Sequence, residues 1–115
     1  MSERRGKYNA RKQEADGYVF DSQAEARHYI DELRPRFLAG EIVGLIVHPV
    51  YELQPAFRDR NGKHIRPITY EADFEYSEHE DRVVVVDVKG VRTETFRLKA
   101  KMFQYMYPMC ELRIV

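Results

Sequence analysis

The chain has 115 residues, the length of one domain, and its 19 basic side chains balance its 19 acidic ones. Net charge therefore excludes no class of partner. A single cysteine excludes an intrachain disulfide and a cysteine metal cluster, and the longest apolar run, residues 42–47, is far too short to span a membrane. With a polar start and no leader-like apolar stretch, the expectation is a soluble, intracellular protein.

Residues 1–17 read as a basic arm. Arg4, Arg5, Lys7, Arg11 and Lys12 stand there against one acid, Glu3, before Glu14, a pattern that suits a phosphate backbone and equally suits a solvated terminus. Residues 18–115 read as a single domain. The stretch FDSQAEARHYIDELRPRFLAG predicts a helix. Asp21 or Ser22 can cap it, with Glu25 completing a capping box. Ala26, Tyr29, Ile30, Leu33 and Phe37 recur at helical spacing. Pro35 predicts a kink or break near Arg34, and Gly40 an end.

The next stretch, EIVGLIVHPVYELQPAF, is β-branched and interrupted at Gly44 and Pro49, so a short strand and a longer one are expected. Asn61-Gly62 is a strong hairpin signal. In PITYEADFEY, Ile68, Tyr70, Ala72, Phe74 and Tyr76 alternate with Thr69, Glu71, Asp73 and Glu75. SEHED is a turn and RVVVVDVKG another strand. TETFRLKAKMFQYMYP predicts a second helix, with Phe96, Ala100 and Phe103 inward and Pro108 as its stop. CELRIV closes the chain as a strand, with Cys110 a small buried hydrophobe. The order is helix, three-strand meander, helix, strand. It predicts an α/β fold with a mixed sheet, whose last strand returns in parallel.

The turn centred near Glu80 sets Asp73 opposite Asp87 and Glu71 opposite Lys89, all on one face. Like charges across a ladder are destabilising unless a cation lies between them. A divalent metal could take the Asp73 and Asp87 carboxylates and the Val88 carbonyl, with Lys89 beside it to stabilise an anionic transition state or orient an attacking water. On this reading Asp87→Ala leaves the apo fold intact or stabilises it. Glu25 on the first helix and Lys99 on the flank of the second could enclose the site. The plain alternative is a solvated sheet face with a Glu71–Lys89 pair. The four histidines lack ligand spacing, Tyr29, Tyr70 and Tyr76 read as packing, and Met102, Met106 and Met109 as core or interface filling.

The segments SQAEARHY (22–29), ITYEADFEY (68–76), VVVDVKG (84–90) and TETFRLKAK (93–101) together resemble the PD-(D/E)XK nuclease superfamily. More narrowly, they resemble a family of small, largely uncharacterised phage and prophage proteins placed in it, a resemblance that implies a Holliday-junction resolvase or a related recombination nuclease. The resemblance implies a restriction-endonuclease-like αβββαβ core in residues 18–115. It implies a Mg²⁺- or Mn²⁺-dependent endonuclease acting on branched or recombination DNA in the cytoplasm. Glu25, Asp73 and Asp87 match the metal-holding acids, Lys89 the motif lysine, and Lys99 or Lys101 the basic residue of the following helix. Ala72 stands where the superfamily has proline. The arm and Arg58, Arg60 and Lys63 would grip the DNA backbone, and two equivalent strands in a junction imply a twofold dimer. The competing reading is a catalytically silent DNA-binding or assembly module on the same fold.

Overall fold

The computed structural model describes residues 12–115, the side chain of Glu80 excepted. The described residues divide into two compact units, one ending at Val43 and the other spanning Gly44–Val115.

In the first unit, β1 (Gln13–Ala15) and β2 (Tyr18–Phe20) form an antiparallel hairpin in which Ala15 faces Tyr18. The two loop residues, Asp16 and Gly17, have φ of 54° and 86°. An Asp-Gly pair suits this turn because both residues tolerate positive φ. The end of the stretch read as an arm is thus a strand and its turn. The same dipeptide signal noted at Asn61-Gly62 was present here.

Ser22 caps α1 (Gln23–His28), its Oγ accepting from the Glu25 amide at 3.1 Å. The helix does not break before Pro35. It widens into a π-helical turn, Tyr29–Leu33, in which the Arg34 amide donates to the Tyr29 carbonyl, and continues as α2 (Arg34–Leu38). Proline has no N–H and its ring crowds the carbonyl four residues back. One wide turn relieves both problems, with Pro35 then lying in the first turn of α2. The Tyr29 hydroxyl donates to Asp16 Oδ2 at 2.7 Å, and Arg34 Nη1 lies 3.2 Å from the same oxygen. These bonds tie the hairpin turn to the helix.

The second unit is mixed α/β. Its four-stranded sheet has the order β10 (Cys110–Ile114), β9 (Arg82–Asp87), β8 (Phe74–Glu78), β3 (Val43–Val47). The β8–β9 hairpin is antiparallel, from Phe74 opposite Val86 to Glu78 opposite Arg82. β10 pairs with β9 in parallel, as the helical crossover predicts. The meander is not simple, however. β4 (Val50–Gln54) pairs with β7 (Ile68–Glu71) in a separate ladder. The chain bends at His48-Pro49 and again at Ala72-Asp73, and the two bends face each other. The His48 amide donates to the Asp73 carbonyl and the Ala72 amide to the Pro49 carbonyl, both at 3.0 Å. His48 takes φ of 58° to make its corner.

These bends change which residues share a face. Tyr70 and Ala72 pack with Val85 against Phe96, Ala100 and Phe103 of α3 (Glu94–Met106). Phe74 and Tyr76 instead stand opposite Val86 and Val84, on the other side of the pleat from Val85. The uniform alternation expected over residues 68–76 therefore switches sides at the bend. Thr93 caps α3, its Oγ1 accepting from the Phe96 amide at 3.1 Å. The Asn61-Gly62 signal does mark a hairpin, β5 (Phe57–Arg58) with β6 (His64–Ile65). Its loop is five residues rather than two. Asp59 Oδ1 holds it, accepting from the Asn61 and Lys63 amides at 2.8 and 2.9 Å.

Candidate functional site

β9 carries valines on both faces and then one acid. Val84, Val85 and Val86 are buried, and Asp87 is only 1% exposed. An ionisable group so deep in a sheet needs partners. Asp87 Oδ2 accepts a hydrogen bond from the Tyr70 hydroxyl. Oδ1 lies 3.3 Å from Lys89 Nζ but has no hydrogen bond among the described residues. The lysine contact is thus electrostatic and leaves a buried carboxylate oxygen with unused acceptor capacity.

Lys89 is held from its other side by Phe96, whose ring centroid lies 4.7 Å from Nζ. A cation over an aromatic face is attracted to it. The Lys89 amide also donates to the Val115 carbonyl, and the Val115 amide to the Asp87 carbonyl, extending the parallel ladder past β10. This anchors the backbone that presents both charged side chains.

Asp73 sits at the bend. The ladder register places it opposite Asp87, but regular pairing ends at Phe74–Val86, and the Asp73 amide donates to the Val86 carbonyl at 3.0 Å. Its Oδ2 accepts from the Val88 amide at 2.6 Å. Face-to-face opposition of the two acids is therefore replaced by an offset. Both carboxylates still act on one group. Burial first, then the Asp87 hydrogen bond and charge, then the Asp73 charge, push the Tyr70 hydroxyl well above the ordinary tyrosine range.

Two expectations are corrected. Glu71 does not face Lys89. It is exposed on β7 and pairs with Val50, because the bend takes β7 away from β9. The solvated-face reading fails at Asp87, whose carboxylate is buried. Tyr70, read as packing, both packs and bonds the acid. Its sequence alternation concealed this, since only the bend brings it to the side of Asp87.

The other expected site residues are distributed as follows. Lys99 is half-buried on α3 and Lys101 exposed, in keeping with Lys99 lying nearer the core flank. Val88 contributes its amide to Asp73. Glu25 is 6% exposed on α1 in the first unit. Lys12 pairs with Asp21 at 3.1 Å. Arg58 Nη1 donates to the Gly62 carbonyl at 3.0 Å, and Arg58, Arg60 and Lys63 are exposed on the β5–β6 hairpin. Arg4, Arg5, Lys7 and Arg11 lie outside the described residues.

The fold and the site define a mixed α/β protein with an acid–lysine–tyrosine cluster where a central strand leaves the sheet. Residues 5–115 match the family described as protein of unknown function (DUF1064), and the chain belongs to that family. No curated protein and no solved structure matches it. No helix among the described residues is long and apolar enough to cross a membrane.

Proposed function

We propose that this chain is a metal-dependent DNA endonuclease of the PD-(D/E)XK kind, hydrolysing phosphodiester bonds in branched or recombination DNA. The observation that carries the reading is the buried Asp87 carboxylate, with one oxygen unbonded, next to Lys89. An oxygen donor of this kind suits a hard divalent cation such as Mg²⁺ or Mn²⁺. Asp87 and Asp73 would hold it, with the Val88 carbonyl as a further oxygen. Glu25 joins this set by the sequence resemblance alone. When bound, the cation would supply a water of lowered pKa and neutralise charge at the phosphate.

The chain's own residues have separate tasks in this reading. Phe96 and Asp87 hold the Lys89 ammonium at the sheet end, where its remaining donors can meet a scissile phosphate oxygen. The exposed Arg58, Arg60 and Lys63 contact the DNA backbone without reading sequence. A homodimer would match the two equivalent strands of a junction.

One observation favours the second reading, a catalytically silent DNA-binding module. Tyr70, Lys89 and the Val88 amide already partner the two acids, so the cluster holds together without a cation. A cleavage assay separates the two. Labelled four-way junction, Y-fork, linear duplex and single strand are incubated with Mg²⁺ or Mn²⁺, with EDTA and Lys89→Ala as controls. Symmetric metal-dependent nicks in the junction, lost in Lys89→Ala, are expected. Cutting of all substrates alike keeps the nuclease and removes the junction preference. Binding without any cutting replaces the nuclease with the silent module.

A further inference from the structure

We infer that Tyr70 is a positioning residue of this site: its buried hydroxyl holds Asp87 Oδ2, so that Oδ1 is the oxygen presented to a divalent cation beside Lys89. The inference rests on the metal reading above. Tyr70 is 3% exposed, and a phenol so deep in a core needs a partner for its hydroxyl. A phenylalanine would satisfy the packing alone. The ring is fixed by neighbours on several sides, with centroids of Phe103 at 5.5 Å and of Tyr51 and Phe96 at 6.3 Å. A ring so enclosed cannot swing its hydroxyl away, so the donor stays in one place.

The consequence falls on the carboxylate. Its two oxygens are inequivalent: one receives the Tyr70 proton donor, the other is buried, unbonded and near the Lys89 charge. A carboxylate free to rotate could offer either oxygen or both to a cation. One pinned by a rigid donor offers a single oxygen in a single direction. Partners that orient ligating carboxylates in this way typically govern metal affinity about 10- to 100-fold.

Mn²⁺ binding to wild type and Tyr70→Phe is measured by titration calorimetry, with circular dichroism confirming that both are folded. Binding at least about tenfold weaker in the variant is expected. A folded Tyr70→Phe that binds Mn²⁺ as tightly as wild type overturns the inference and leaves the nuclease reading standing. Wild type that binds no Mn²⁺ removes the metal reading and the inference with it. A second measurement does not depend on the variant folding. The Tyr70 hydroxyl proton is followed by NMR in wild type as Mg²⁺ is added. A saturable shift is expected, and an unmoved resonance at concentrations that support cleavage overturns the inference.

Discussion

The Val88 amide donates to Asp73 Oδ2 at 2.6 Å, so this acid takes over as acceptor at the point where the β8–β9 ladder has run out. Asp73→Ala leaves that amide without its acceptor and should cost about 1–3 kcal/mol of stability. Asp73→Asn keeps an acceptor oxygen and should cost less. Urea unfolding of both variants measures the difference. Saturating Mn²⁺ should raise the melting temperature of wild type but not of Asp73→Ala, because a ligand that binds only the folded state stabilises it.

For Asp87→Ala the structure reverses the expectation drawn from the sequence. Repulsion from Asp73 would have made the change neutral or stabilising. The acid instead accepts from Tyr70 and stands beside Lys89. Its loss leaves a buried hydroxyl and a cation without their partner, and should destabilise the protein by about 1–3 kcal/mol. The double variant Asp87→Ala/Tyr70→Phe should recover part of that loss, since it removes the orphaned hydroxyl as well. Equal stability of single and double variants would show that the orphaned hydroxyl carries no cost.

Lys89 and Phe96 should be energetically coupled. Nζ lies 4.7 Å from the ring centroid, and a cation–π contact is worth about 0.5–1 kcal/mol when partly exposed. A double-mutant cycle with Lys89→Met and Phe96→Leu should return a coupling of that order. Additive losses would mean that Phe96 serves the core alone.

In the first unit, Asp16 makes part of the stability depend on acid pH. The Tyr29 hydroxyl chiefly, and Arg34 after it, hold its carboxyl below the ordinary value of 3.8. Because the folded pKa is the lower one, this stabilisation is complete above the unfolded value and is lost as pH falls through the folded one. Asp16→Asn removes that contribution while keeping a residue that tolerates φ of 54°. Urea midpoints taken from about pH 6 to about pH 2 should fall less steeply in the variant than in wild type. Tyr29, pushed up to about 12 by burial and by its bond to Asp16, remains a neutral donor throughout that range.

The sequence by itself determined the elements that depend on near neighbours. The sequence narrowed each helix cap to a pair, Asp21 or Ser22 and Thr93 or Thr95, and the folded chain uses Ser22 and Thr93, whose side-chain oxygens reach an amide three residues on. The register from Phe74 to Glu78 follows from the alternation and the intervening turn. The parallel return of β10 follows from its helical crossover. Asp73, Asp87 and Lys89 could be singled out because two acids and a lysine are costly on a valine-rich sheet. Only the tertiary structure decided how they are used. Facing bends at His48-Pro49 and Ala72-Asp73 arise from pairing between segments more than twenty residues apart, which no local pattern encodes. Those bends move Glu71 away from Lys89, offset Asp73 from Asp87 and turn Tyr70 toward the buried acid. Whether a charged side chain is wet or buried depends on what packs across the sheet, and that is why the environment of Asp87 could be read only from the folded chain.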